Sequence, residues 1–160
     1  MKVAIIASNY LKINKNTKKG TEIIVYDFVN ALVRLNEKKE LDITVFVSED
    51  SDLPVKIESI ACESSAFNPQ ITKTGKRFIF ELALLSKAFS YQEEYDLFHI
   101  NIGDGDIALP FAPFVKKPIL ITLYHLTDLE FAEKYLTLFK KHKNIFFVSP
   151  TEIQKKRLPF

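Results

Sequence analysis

Two short apolar runs, each ending at or near a histidine, constrain this chain more than any other feature. The first reads Tyr95-Asp96-Leu97-Phe98-His99-Ile100-Asn101, and the second Ile119-Leu120-Ile121-Thr122-Leu123-Tyr124-His125. Between them lie a Gly/Asp-rich break at residues 103–106, a short apolar segment reaching Val115, and Lys116-Lys117-Pro118. Short runs rich in Ile and Leu suit strands buried on both faces of a parallel sheet, and the helix-length piece between them supplies the crossover. In an open α/β sheet, ligands bind outside the carboxyl ends of the strands. His99 and His125 therefore fall where binding or chemistry is expected.

The rest of the chain repeats that alternation. Residues 2–8 read as a buried first strand, and a lysine-bearing polar loop follows to Lys19. Gly20-Thr21-Glu22 opens a long helix, with Thr21 as its expected N-cap and Glu22 placing negative charge in the first turn, where the helix dipole favours it. Ile24, Phe28, Ala31, Leu32 and Leu35 form its expected apolar stripe. Residues 41–47 read as a second strand with Ile43, Val45 and Val47 on one side, and residues 55–62 as a more polar third strand near an edge. Residues 63–74 read as a loop. Residues 75–89 form a helix with the stripe Phe78, Leu82, Leu85 and Phe89. After the central unit, Asp128 is expected to cap a helix through His142 with the stripe Phe131, Tyr135, Leu138 and Phe139. Residues 145–148 form a last strand, and a short helix beginning at Ser149 or Pro150 ends at Pro159.

Strands alternating with helices imply an α/β fold: a three-layer, Rossmann-like, doubly wound parallel sheet of about six strands with helices on both faces. The expected order is 3-2-1-4-5-6. The switch point then lies between strands 1 and 4, so the loop before Gly20 and the residues after His99, Asn101 among them, face one crevice. The 160 residues amount to one domain, and 47% hydrophobic with 26% charged residues is ordinary globular composition. A net charge of +2 supplies no global field that calls for nucleic acid. The single cysteine, Cys62, forms no internal disulfide, which points to a reducing, cytoplasmic setting. No apolar run is long enough to span a membrane.

Several sites are excluded. No glycine follows strand 1 before Gly20, so the dinucleotide fingerprint and the P-loop are missing. There is no serine nucleophile elbow. His99, His125 and His142 lack local metal-ligand spacing, and Asp104-Gly105-Asp106 begins like a calcium loop but has Leu109 and Val115 where glycine and glutamate are needed. No metal is expected. What remains is Lys19-Gly20-Thr21-Glu22 at a helix N-terminus. Free backbone N–H groups and the dipole favour a phosphate or carboxylate there, and Gly20 permits close approach. The plainer reading of this loop is a capped helix after a solvated segment. The Lys140-Lys141-His142-Lys143 and Lys155-Lys156-Arg157 clusters read as solvated faces, with contact to an acidic membrane surface as the sharper reading.

Taken in series, these residues resemble the N-terminal, acceptor-side domain of GT-B fold glycosyltransferases, in particular the retaining family 4. Lys19-Gly20-Thr21-Glu22 matches that family's Gly-Gly-x-Glu loop, with Lys19 in place of the first glycine. Tyr95-Asp96-Leu97-Phe98-His99 matches its Tyr-Asp-apolar-apolar-His segment. Lys117-Pro118 and Thr122-Leu123-Tyr124-His125 match its Lys-Pro and Thr-x-x-His strand, and Phe147-Val148-Ser149 its late strand leading into serine.

The resemblance implies transfer of a hexosyl group from a nucleotide sugar to an acceptor with retention of anomeric configuration. It implies His125 as the catalytic residue near the transferred sugar and Gly20 and Thr21 against the donor diphosphate. It implies His99, Asn101 and Glu22 as lining of the acceptor cleft. No cofactor is implied, since the nucleotide sugar is a substrate. A C-terminal nucleotide-binding domain is the expected partner, so residues 1–160 alone are expected to be inactive. Two rivals stand beside this reading. One is a non-catalytic domain that binds a phosphorylated ligand or a protein. The other is a different two-domain enzyme, such as an inverting GT-B transferase or a sugar-nucleotide epimerase, because fold alone does not decide function.

Overall fold

A computed structural model describes residues 1–124 and 129–156. Its six strands are β1 (Lys2–Ala7), β2 (Asp42–Phe46), β3 (Lys56–Glu58), β4 (Leu97–Asn101), β5 (Ile119–Thr122) and β6 (Ile145–Val148). All pairs are parallel, and the order is β3-β2-β1-β4-β5-β6, as the alternation of elements predicts. The helices are α1 (Gly20–Leu35), α2 (Pro69–Thr72), α3 (Phe78–Ser90), α4 (Leu129–Thr137) and α5 (Glu152–Lys155).

The central strand explains why its sequence is continuously apolar. Val3, Ile5 and Ala7 join one core with Val25 and Val29 of α1, whereas Ala4 and Ile6 join the other with Leu84, Leu85 and Ala88 of α3. Burying a side chain such as Leu84 or Ile5 contributes roughly 1.5–3 kcal/mol, so both faces of β1 demand cover. The segment between β4 and β5 packs Ala108, Leu109 and Ala112 into the α3-side core. It is a 3-10 helix, Gly105–Phe114, rather than an α-helix. Pro110 and Pro113 inside it lack the N–H that an α ladder needs and crowd the preceding turn, so the tighter winding prevails.

Several local expectations are corrected. The N-cap of α1 is Lys19, without a side-chain cap, and the first helical bond runs from Ile23 N–H to the Lys19 carbonyl. Thr21 therefore lies inside the first turn rather than capping it. The buried stripe of α1 is Glu22, Val25 and Val29, while Ile24 and Leu35 are exposed. Helix α3 starts at Phe78, after a turn in which Gly75 adopts φ 65°, and it buries Leu84 and Ala88 beside Leu85 and Phe89. Segment 63–74 holds a 3-10 turn, Ser65–Phe67, and α2, whose N-cap Asn68 accepts from the N–H groups of Gln70 and Ile71. Helix α4 ends at Thr137 and buries Leu136; Tyr135 and Phe139 of the expected stripe pack against the core, whereas Phe131 and, beyond the helix, Leu138 are exposed. The third strand shrinks to Lys56–Glu58 at the sheet edge. The expected cap Asp128, His125 and Pro159 lie outside the described residues. Among the described residues, no helix is long and apolar enough to cross a membrane.

Candidate functional site

A cleft of about 440 Å³ opens at the switch point between β1 and β4. Four segments build it: Ser8 and Tyr10 after β1, Lys19, Thr21 and Glu22 at the start of α1, Arg77, Phe78 and Glu81 at the start of α3, and Ile102, Gly103 and Asp104 after β4. Two parallel strands diverge here because their crossovers leave on opposite faces, which opens a crevice at the carboxyl edge. The size suits a small polar ligand such as a sugar or a phosphate ester.

Cations stand on one wall. Lys19 Nζ lies 4.2 Å from the centroid of the Tyr10 ring, and Arg77 Cζ lies 4.4 Å from it. Cation–π attraction holds both groups beside the first turn of α1. Buried acceptors stand beside them. Ser8 Oγ donates to Glu81 Oε1 at 2.6 Å and accepts from Tyr10 N–H at 3.0 Å. Burial raises the pKa of Glu81, the Ser8 hydrogen bond works against that, and the charge of Asp104 adds to it. Glu22 is 1% exposed; its Oε1 lies 3.8 Å from Lys19 Nζ, and its Oε2 has no hydrogen-bond partner.

The unpaired groups cluster. Among the described residues, buried side-chain polar atoms without a partner belong to Asn9, Glu22, Ser65 and Asn101. Asn9 follows β1, and its carbonyl accepts from Ser65 N–H at 2.9 Å. Asn101 closes β4, where it pairs in register with Ala7. All four therefore gather at the carboxyl edge of the sheet. Together they leave unused hydrogen-bonding capacity at one edge of the sheet, available to water or a ligand.

The expected site residues divide. Thr21 and Glu22 line the cleft. Gly20 does not line it, but a Cβ there would meet nothing within 4 Å, so the backbone of the first turn is open to approach. His99 and Asn101 are not in the lining. His99 lies in the middle of β4, opposite Ile5 and Leu120. Its ring meets Phe28 of α1 edge to face at 5.3 Å, and its Nε2 lies 3.0 Å from Thr122 Oγ1. Burial pushes its pKa down to about 4. Two residues on, Asn101 Oδ1 accepts from Tyr124 O–H at 2.9 Å. His99 and Asn101 thus fasten the Thr122–Tyr124 segment to β4 from below the crevice. His125 lies outside the described residues.

Ser8, Tyr10, Arg77 and Glu81 escape the sequence reading. Glu81 sits inside a stretch that reads as an apolar helical stripe, and its one legible signal is an acid flanked by Phe80 and Leu82. Asp104 shows only as part of a failed calcium loop. Among the described residues, no group of three or more His, Cys, Asp or Glu is placed to hold a metal ion. No protein-family model matches this chain, and comparison with curated proteins finds no match.

Proposed function

We propose that the chain is the acceptor-side half of a retaining glycosyltransferase, which moves a hexosyl group from a nucleotide sugar to a hydroxyl-bearing acceptor. The observation that carries this reading is the pairing, in one switch-point cleft, of an anion-favouring helix terminus with buried hydrogen-bond acceptors. The first turn of α1, with Lys19 and Arg77 nearby, suits the negative charge that develops on a departing diphosphate. Glu22 suits the hydroxyls of a sugar, since its unpaired buried oxygen gains most from a ligand that donates to it, and Glu81 lines the same cleft. The series from Lys19-Gly20-Thr21-Glu22 to Thr122-Leu123-Tyr124-His125 supports the same family. His125 is the residue proposed to stand near the transferred sugar, and the nucleotide is proposed to be held by a second domain.

The test is amide-resolved NMR of the 160-residue chain titrated with inorganic pyrophosphate and, separately, with oligosaccharides. Pyrophosphate is expected to shift the amides of Gly20 and Thr21, and a sugar those of Ser8 and Glu81. Silence at all four positions with both ligands would overturn the assignment. Sustained sugar transfer by the chain alone would overturn its reading as one half of an enzyme. A second reading, a non-catalytic module for a phosphorylated ligand, draws on the two cations at Tyr10. It predicts the pyrophosphate response without any response to sugars.

A further inference from the structure

The cleft occupies the carboxyl edge of the sheet. At the opposite edge, the segments entering β5 and β6 are stitched together by one side chain. Asn144 Nδ2 donates to the Val115 carbonyl at 2.7 Å, with the Ala112 and Lys117 carbonyls at 3.4 and 3.5 Å. This joins Lys116 and Lys117 to the turn that carries Lys140, Lys141 and Lys143. Neither residues 111–120 nor residues 138–146 contain an acid, and among the described residues no ion pair engages any of the five lysines. The acids at the flank include Asp96, whose carboxylate accepts from Lys2 N–H, and Glu93 and Glu94 beside Gln92, whose side chain holds the Phe114 carbonyl and the Lys116 N–H. Apolar side chains stand out among these lysines: Phe114 is 78% exposed and Leu138 67%. Between the end of α4 and β6 lies a mostly apolar hollow of about 390 Å³, lined by Leu136, Phe139, Ile145 and Phe146, with Lys140 and Lys143 also contributing.

We infer that this edge docks on an anionic lipid surface, with Phe114 and Leu138 entering the acyl boundary and the five lysines among the headgroups. Lysines attract acidic headgroups while their stems lie along apolar surface, and exposed apolar residues beside them gain by leaving water. An aliphatic Leu138 and an open apolar hollow beside the lysines favour lipid over nucleic acid, because a phosphate backbone rewards the lysines and a base the Phe114 ring but neither covers these. Since the patch and the cleft occupy opposite ends of parallel strands, the docked protein holds its cleft on the side away from the lipid.

The experiment is co-sedimentation of the 160-residue chain with vesicles. Pure phosphatidylcholine is expected to leave the chain in solution, and vesicles with about 30% phosphatidylglycerol to bring it down, less so as salt rises. Replacing Lys140, Lys141 and Lys143 by glutamine is expected to lower partitioning by roughly fivefold per lysine. The double variant Phe114→Ser, Leu138→Ser is expected to lower it by about a hundredfold while preserving its salt dependence. All the substituted side chains are exposed, so melting curves should match that of the parent and exclude misfolding. Binding that the lysine and apolar variants leave unchanged would overturn the inference. So would a chain that ignores acidic vesicles, and a gel shift with single-stranded RNA in that case would reassign the patch to nucleic acid.

Discussion

Ser8 Oγ donates to Glu81 Oε1 at 2.6 Å, joining the end of β1 to the first turn of α3 across a sequence separation of 73 residues. The bond sets one wall of the cleft, and it makes Glu81 a titrating element of the fold. Burial raises the pKa of Glu81 above the ordinary 4.5. A carboxyl whose folded value is raised contributes stability that is whole below the unfolded value and lost as the pH climbs through the folded one. Glu81→Gln removes that loss and keeps an acceptor for Ser8. Its melting temperature is expected to fall less than the parent's between pH 4.5 and about pH 7.5. Equal slopes for the two proteins would contradict the role given to Glu81.

His99 carries the opposite sign. Its pKa is held near 4 by burial, against an ordinary 6.5. The stability this gives is whole above pH 6.5 and is lost as the pH falls towards 4. At about 1.4 kcal/mol per pH unit, the loss is at most on the order of 3 kcal/mol. His99→Phe keeps a ring against Phe28 and deletes the titration. Urea midpoints of the two proteins should therefore converge on acidification, with the parent losing more.

At Glu22 the proposed function predicts that stability and binding part. Glutamine keeps the size of this buried side chain but replaces one carboxyl oxygen, such as the one without a partner, by a donor. Glu22→Gln is expected to raise stability by about 1–3 kcal/mol and to weaken sugar binding by at least tenfold. Calorimetric melting and an NMR titration would measure the two effects. A variant that is both less stable and equally able to bind sugar would remove Glu22 from the site.

Gly20 and Gly105 should respond in contrasting ways. A Cβ at Gly105 would stand 3.1 Å from both Ile121 Cγ2 and the Thr122 carbonyl oxygen, which belongs to β5 and moves only with the sheet. Gly105→Ala is expected to destabilise the chain by about 1–3 kcal/mol. Gly20 faces open space, so Gly20→Val should leave chemical-denaturation curves nearly unchanged while blocking pyrophosphate at the first turn of α1.

Strand identity and order were legible because burial on both faces leaves a plain mark. Runs such as Val3-Ala4-Ile5-Ile6-Ala7 and Ile43-Thr44-Val45-Phe46 admit few other structures. Helix faces were harder to read. In α1, Phe28 and Leu32 of the expected stripe pack against the core, but Ile24 and Leu35 are as apolar as the buried residues, and only packing against β1 and β2 selected Val25 and Val29 instead. In α4 and just beyond it the same ambiguity left Phe131 and Leu138 outside.

The sequence alone determined the sheet, the position of the switch point and the helix terminus that carries Gly20, Thr21 and Glu22, since these follow from local pattern and chain order. Tertiary structure decided what meets across the crevice. Ser8 with Glu81, and Lys19 and Arg77 at Tyr10, are partners distant in sequence whose side chains carry no periodic signal. It also drew His99 under the rim, where a strand position that looked terminal is the middle of β4 and pairs with Thr122 instead of facing solvent. Local propensity acts over a few residues, whereas a site is made by side chains that only the packed sheet brings within hydrogen-bond reach.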